Sequence, residues 1–212
     1  MKAFNILKIA VLSLLFFLIP LNASINKYVL SDDVVIDPRT AQKILEIGSE
    51  VKKKTNVNLY VYVKTDLGID KNIPIKEKMQ LIKKEETELT STLSKPYAVL
   101  TIAVEQMHVN LLMSEKLKSI INKDDILDGY VVPLLASKDK NTLFTKISAA
   151  VLNGYSEMAD DVAHANGIEK LESGIPSSGK TAGTIWKVFM YTLVILGVFL
   201  YTFAVLRSKK KK

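Results

Sequence analysis

The sequence predicts an α/β fold, a mixed and mostly parallel four-stranded sheet covered by helices, followed by one C-terminal transmembrane helix. Two observations predict it. Segments with the pattern of strands alternate with amphipathic helical segments, which is typical of a parallel or mixed sheet covered by helices. Near the C-terminus, residues 188–206 carry no charge. At about 1.5 Å per residue this run makes a helix of roughly 28 Å, close to the hydrocarbon thickness of a bilayer.

The first half of the domain is predicted to supply two strands and two helices. Residues 26–36 have a weak strand pattern. Asp37 and Pro38 then indicate a helix start, with Asp37 as the cap and Pro38 at the first helical position. Residues 57–63 are β-branched and aromatic, which predicts a buried strand. A second helix is predicted over 74–92, because apolar side chains recur at helical spacing and charged side chains occupy the other face.

The second half is predicted to supply a hairpin and further helices. Residues 97–104 have the strongest strand pattern, and 108–113 follow after a short turn as the expected hairpin partner. A short helix is expected over 114–121, and Asp124 is expected to cap another. The last helix of the domain is predicted over 142–164, where apolar residues align at helical spacing.

The two ends of the chain predict export and membrane attachment. Residues 1–23 have the basic start and short apolar core of a signal peptide, with an uncleaved anchor as the alternative. An exported domain (24–165), a linker rich in Ser and Gly (166–185), a transmembrane helix (186–206) and a basic tail (207–212) follow. Basic clusters beside a span stay in the cytoplasm. We therefore expect a single-pass protein of the inner (cytoplasmic) membrane, with its domain in the periplasm or outside the cell.

The net charge of +7 does not indicate a polyanionic partner. Eight of the 29 Lys and Arg residues flank the two apolar segments, and the remaining 21 nearly balance the 22 Asp and Glu residues. The positive charge therefore indicates membrane orientation, and nucleic-acid binding is excluded. The chain has no cysteine, which excludes disulfide bonds and thiolate metal ligands.

The order of these elements resembles the TPM domain family, also called the photosystem II repair domain. The resemblance rests on the following segments, in chain order: 35–37 entering the first helix, the strand at 57–63, the paired strands at 97–104 and 108–113, and 126–133 downstream. It covers roughly residues 28–163. The resemblance implies an α/β fold of the TPM type. It also implies a role as an auxiliary or repair factor for membrane complexes, or as an acid phosphatase or metal binder.

Asp124, Asp125 and Asp128 form the densest group of carboxylates in the sequence. On a helix, Asp124 and Asp128 face the same way and could share a calcium or magnesium ion. The other interpretation is that these residues cap a helix and stabilise the positive end of its dipole, which needs no ligand. The sequence favours capping, because a tight site of oxygen ligands needs more groups than this run supplies.

Residues 174–181 match the G-x-x-x-x-G-K-[ST] pattern of a phosphate-binding loop. That chemistry needs a strand before the loop and a soluble helix after it. Here the predicted membrane span follows, so no nucleotide site is expected. The G-x-S-x-G motif of a serine hydrolase is also absent.

These observations favour a binding module over an enzyme. We expect the domain to be held at the bilayer by the C-terminal helix and to contact an integral membrane protein, aiding the assembly, repair or regulation of its complex. Such tethering raises the effective concentration of the domain near its partners. The alternative is a metal-assisted acid phosphatase that acts on phosphate esters outside the cytoplasm through Asp124, Asp125 and Asp128.

Overall fold

The computed structural model describes residues 26–31, 35–70 and 72–175, together with Thr192 and Ile195. The predicted signal peptide (1–23), the basic tail (207–212) and all but those two residues of the predicted span (186–206) lie outside this part. No helix among the described residues is both long enough and apolar enough to cross a bilayer. The signal peptide, the span and the tail therefore stay predictions.

The described chain contains three strands and a series of helices. In chain order they are α1 (Pro38–Thr55), β1 (Asn58–Lys64), α2 (Ile75–Ser91), β2 (Tyr97–Ala103), β3 (His108–Met113), a 3-10 turn (Glu115–Leu117), α3 (Lys123–Ile126), a π-helical turn (Leu127–Val131), α4 (Val132–Leu135) and α5 (Leu143–Ala165). The predicted cap of α1 is confirmed, since Asp37 Oδ1 accepts a hydrogen bond of 2.9 Å from the Arg39 N–H.

The sheet is mixed, as predicted, but it has three strands in the described part of the chain rather than four. The strand order is β1-β2-β3, with β1 parallel to β2 and β2 antiparallel to β3. The predicted first strand contributes a single bridge, Val29 to Val61. The chain turns just before it, with the Val29 N–H donating to the Asn26 carbonyl at 3.0 Å. The Leu30 N–H donates to the Val61 carbonyl and the Val61 N–H to the Tyr28 carbonyl, both at 2.8 Å, which makes one bridge rather than a ladder among the described residues.

One face of the sheet packs on α1 and α5 and holds the hydrophobic core. The side chains of Leu59, Val61 and Leu100 point to this side and are fully buried. The Tyr155 hydroxyl of α5 donates to the Leu59 carbonyl at 3.0 Å, which satisfies its polar end inside the core. Gly154 lets α5 approach the sheet closely, because a Cβ there would lie 3.1 Å from the Leu100 side chain.

The other face of the sheet is covered by α2, whose packing differs from the prediction. Its apolar residues were expected to form one buried face, but only Ile82 is buried. Ile75 and Met79, which belong to that predicted face, are 78% and 45% exposed. The reason is that the strands present polar side chains to α2, so the helix is held mainly by hydrogen bonds.

The prediction that Asp124 caps a helix is wrong. The cap is Asn122, whose side-chain oxygen accepts a hydrogen bond of 3.2 Å from the Asp125 N–H. Asp124 instead lies in the first turn of α3. The expected single helix is also divided into α3, the π-helical turn and α4.

Candidate functional site

Glu86, in the middle of α2, is the centre of a polar cluster between this helix and the sheet. Its Oε1 accepts hydrogen bonds from the Thr101 hydroxyl at 3.2 Å and from the Asn110 side-chain amide at 2.9 Å. The Asn110 amide also lies 3.0 Å from Glu86 Oε2. His108 Nε2 lies 3.0 Å from Oε1. The Glu86 side chain is 14% exposed and that of His108 is 16% exposed.

The strand register brings these partners together. Thr101 of β2 is paired with Asn110 of β3, so their side chains lie on the same face of the sheet. His108 is two residues from Asn110 and shares that face, because side chains alternate along a strand. The sequence therefore places three hydrogen-bonding side chains opposite one carboxylate.

Asn110 lies between the Glu86 carboxylate and the ammonium group of Lys123. While its amide nitrogen faces Glu86, its Oδ1 accepts a hydrogen bond of 2.5 Å from Lys123 Nζ. The same Oδ1 accepts from the Leu111 N–H at 2.9 Å. The orientation of the Asn110 side chain is thereby fixed from both sides.

The pKa of Glu86 lies below its ordinary value. Burial raises this pKa, but the hydrogen bonds from His108, Asn110 and Thr101 and the charge of His108 together lower it by more. Glu86 is therefore ionised at neutral pH. A half-buried carboxylate with this many donors needs no further ligand to be satisfied.

A groove of about 560 Å³ opens beside the cluster, between α2 and β3. Met79, Ile82 and Leu112 give it apolar walls, and Glu86 and His108 also line it. Lys76 and Lys83 belong to its lining as well. The groove thus combines an apolar surface with a few fixed polar groups, which is typical of binding sites.

The cluster is arranged to position a helix rather than to activate a nucleophile. A hydrolytic triad needs a hydroxyl that faces the histidine. Here the Thr101 hydroxyl donates to Glu86 instead. A second hydrogen bond, from the Tyr62 hydroxyl to Glu85 at 3.0 Å, also joins α2 to the sheet. Together these contacts fix α2, and with it the shape of the groove.

The three aspartates singled out in the sequence lie elsewhere. Asp124 and Asp125 are in the first turn of α3, and Asp128 is in the π-helical turn. All three are exposed. Within the described ranges, no three histidine or acidic side chains are grouped so that they could hold a metal ion. The geometry gives the calcium or magnesium prediction no support, and it stays a prediction.

The loop that resembles a phosphate-binding motif is described only at its first two residues. Gly174 lies in a turn, with its N–H donating to the Leu171 carbonyl at 3.2 Å. Residues 176–181 lie outside the described part of the chain. The expectation that no nucleotide binds there stays a prediction.

The sequence analysis did not single out Glu86, Thr101 or Asn110, and it placed the neighbouring Glu85 and Glu88 of α2 on a solvated face. The sequence nevertheless contained a pattern that points to this cluster. Thr101, His108 and Asn110 fall on one face of the predicted hairpin. A polar strand face covered by a helix requires polar partners on that helix. Glu86 meets that requirement.

No family model matches the chain, and no curated protein matches it. The fold is similar to that of the N-terminal domain of a protein from P. gingivalis, solved by solution NMR. The TM-score is 0.51 at 10% identity, over 71% of this chain and 90% of that one. BA42 from the psychrophilic bacterium Bizionia argentinensis, also an NMR structure, has a TM-score of 0.40 at 12% identity, over 68% of this chain and 97% of that one. Neither name states an activity, and the first likeness shows a shared fold alone.

Proposed function

We propose that the protein is a membrane-anchored binding module that acts outside the cytoplasm. In this proposal the groove between α2 and β3 docks an integral membrane protein and so assists the assembly, repair or regulation of its complex. The resemblance of the sequence to the TPM domain family supports such an auxiliary role. The alternative, a metal-assisted phosphatase working through Asp124, Asp125 and Asp128, rests on that resemblance alone.

The observation that carries the proposal is the exposed apolar surface of α2 beside the groove. Ile75 and Met79 are exposed although both are large apolar residues. Met79 also lines the groove together with Ile82 and Leu112. Exposed apolar surface next to a groove is characteristic of sites that bind another protein.

The Glu86 cluster has a defined part in this proposal. It holds α2 at a fixed distance from β3, so the groove is formed before the partner binds. A preformed site costs less ordering entropy on association. Glu86 is thus a positioning residue, and it need not touch the partner.

Site-specific photo-crosslinking in intact membranes tests the proposal. A photoreactive side chain placed at Lys83, on the lining of the groove, should form an adduct with an integral membrane protein. The same group at Gln42, which is exposed on α1 on the opposite side of the sheet, serves as the matched control. Adding Met79→Glu to the protein labelled at position 83 should abolish the adduct, because a charge would be buried against the partner.

Two results would contradict the proposal. One is a set of adducts at position 83 that equals the set at position 42. The other is an adduct that persists when Met79→Glu is present and the variant remains folded, as judged by its thermal transition.

A further inference from the structure

The two outer edges of the sheet differ, because the segment before α1 covers the edge of β1. The Val61 N–H donates to the Tyr28 carbonyl, and the Val61 carbonyl accepts from the Leu30 N–H, both at 2.8 Å. Further along this edge, the Val63 N–H donates to the Ser31 hydroxyl at 3.3 Å. The backbone groups on the outer side of β1 are thus used within the domain, which prevents the pairing of a further strand there.

The outer edge of β3 carries the backbone groups of every second residue. The Ser114 N–H donates to the Tyr97 carbonyl at 2.9 Å, so the backbone groups of Ser114 point towards β2. Along an antiparallel strand the direction of these groups alternates. In the register of β2 and β3, those of Val109, Leu111 and Met113 therefore point away from β2. Each of these residues presents one N–H and one carbonyl to the outside of the sheet.

Among the residues that the structure describes, only one of these outward groups has a hydrogen-bond partner. The Leu111 N–H donates to Asn110 Oδ1 at 2.9 Å, and Lys123 Nζ holds the same oxygen in place. The N–H groups of Val109 and Met113 lie on either side of it. Unpaired groups at this spacing are a template for an added strand, and β3 contains no proline or lysine that would block one.

The groove between α2 and β3 continues past this edge. A second hollow of about 640 Å³ shares Thr90 and Leu112 with the groove and is also lined by Met113 and by residues 118–124. A third hollow, of about 520 Å³, is lined by Val109 and by apolar residues of α4 and α5. A chain paired with the outer edge of β3 would therefore find space on both faces of the sheet.

We propose that the partner docks through an extended segment that pairs with the outer edge of β3 and adds a strand to the sheet. This inference rests on the docking function proposed above and identifies the part of the partner that the groove receives. The main chain of the segment bonds to the outward groups of Val109, Leu111 and Met113. Such main-chain bonds supply affinity, and the pockets beside them supply specificity.

The hollows also define the side chains of the segment. Successive side chains of a strand point to opposite faces. On the face towards α2 they meet Met79 and Leu112 of the groove. On the other face they meet the third hollow, whose lining includes Val109, Val132 and Leu135. Because both surroundings are apolar, the segment carries apolar side chains at successive positions, which is typical of a strand buried on both faces.

The crosslink from position 83 in intact membranes provides the test. Met113→Pro removes an outward N–H and places a ring on the edge, but it keeps the ladder with β2 because this N–H points away from β2. Met113→Ala is the matched control, since it removes the side chain and keeps the N–H. The yield of the adduct should fall about tenfold or more in Met113→Pro and should stay near that of the wild type in Met113→Ala.

Hydrogen exchange, resolved to single residues by mass spectrometry, is a second measurement that needs no proline variant. In the free chain in detergent micelles, the amides of Val109 and Met113 should exchange rapidly, whereas that of Leu112, which points towards β2, should be protected. In the purified adduct, the amides of Val109 and Met113 should exchange about tenfold or more slowly.

Three results would overturn the strand addition. The first is an undiminished adduct in a Met113→Pro protein whose thermal transition shows that it is folded. The second is unchanged exchange at Val109 and Met113 in the adduct. The third is an adduct that joins two copies of this chain, which would assign the edge to self-association. The first two results leave the docking function standing, whereas complete absence of an adduct from position 83 in the wild type would refute docking itself.

Discussion

At the scale of single residues, Glu86 is the charge on which the position of α2 depends. The helix buries one large apolar side chain, Ile82, so apolar burial contributes little to its attachment. The carboxylate accepts hydrogen bonds from Thr101 and Asn110 and contacts His108. Hydrogen bonds to charged groups contribute more than neutral ones, about 1.5–3 kcal/mol each.

We expect Glu86→Gln to lower the free energy of unfolding by about 1–3 kcal/mol at pH 7. A glutamine has one carbonyl oxygen, so its amide nitrogen would face the donor groups of the cluster. Thermal or urea unfolding of the full chain in detergent micelles measures the change. Glu88→Gln is the matched control, because Glu88 is exposed on the same helix and lies 3.8 Å from Lys84. An equally large loss of stability in Glu88→Gln would contradict the role of the Glu86 cluster in holding α2 on the sheet.

The difference in the free energy of unfolding between the wild type and Glu86→Gln should depend on pH. Because the pKa of folded Glu86 lies below the ordinary 4.5, its charge stabilises the fold fully above about pH 4.5. That contribution is lost as the pH falls through the lowered folded value. The difference in stability between the wild type and Glu86→Gln should therefore shrink below pH 4.5. A difference that stays constant down to pH 3 would be inconsistent with this explanation.

Glu50 makes a second prediction at this scale. Burial raises the pKa of Glu50, but the hydrogen bonds from Lys54, Ser173 and Glu172 lower it by more, to about 2. Glu50→Gln should release the segment after α5, and the Ser173 amide should then exchange its hydrogen roughly tenfold faster or more. Hydrogen–deuterium exchange with mass spectrometry measures this, with the exposed Glu46→Gln as control. In the wild type, the protection should weaken from about pH 4.5 towards pH 2.

At the scale of elements, the approach of α5 to the sheet depends on Gly154. A Cβ at this position would lie 2.6 Å from the Val131 side chain and 3.1 Å from that of Leu100. We expect Gly154→Ala to destabilise the fold by about 1–3 kcal/mol, as overpacked cores do. Gly129→Ala is the matched control, since no atom lies within 4 Å of its added Cβ. Melting temperatures that fall equally in both variants would contradict this packing.

The helices and strands were predicted well where the residues that determine them are neighbours in the sequence. Asp37 and Pro38 marked the start of α1 correctly, and the hairpin of β2 and β3 was predicted within one residue. The fourth strand was predicted wrongly, because a short apolar run such as 26–36 does not reveal how many residues will find a partner. The Asp124 cap was also wrong, because the competing Asn122 lies only two residues earlier.

The site was harder to predict than the elements, for a physical reason. The polar cluster joins Glu86 to residues 15–24 positions away in the sequence. Helical periodicity shows which residues share a face, but it does not show whether the opposing surface is apolar or polar. The pattern of Ile75, Met79 and Ile82 therefore predicted a buried face, whereas the strands presented Thr101 and Asn110 to the helix.

At the scale of the whole molecule, the parallel arrangement of α1 and α5 separates two ends with different surfaces. At the end where both helices finish, charged side chains of both signs are exposed, among them Lys53, Lys170, Glu169 and Glu172. At the other end, Met107 and Leu143 are 91% and 55% exposed. The 23 residues of α5 extend about 34 Å between these ends. A domain anchored through the residues after α5 would therefore have its charged end next to the linker and its exposed apolar residues at the far end.

This arrangement requires the domain and the basic tail to lie on opposite sides of the membrane. Asn141→Cys in the domain and Lys210→Cys in the tail give two proteins with one thiol each, because the chain has no cysteine. In intact spheroplasts, a membrane-impermeant maleimide should label position 141 at once and position 210 only after detergent is added. Basic residues beside a span are retained in the cytoplasm, which protects the second thiol. Labelling of position 210 in intact spheroplasts, or protection of position 141, would place the domain on the wrong side of the membrane for the proposed docking function.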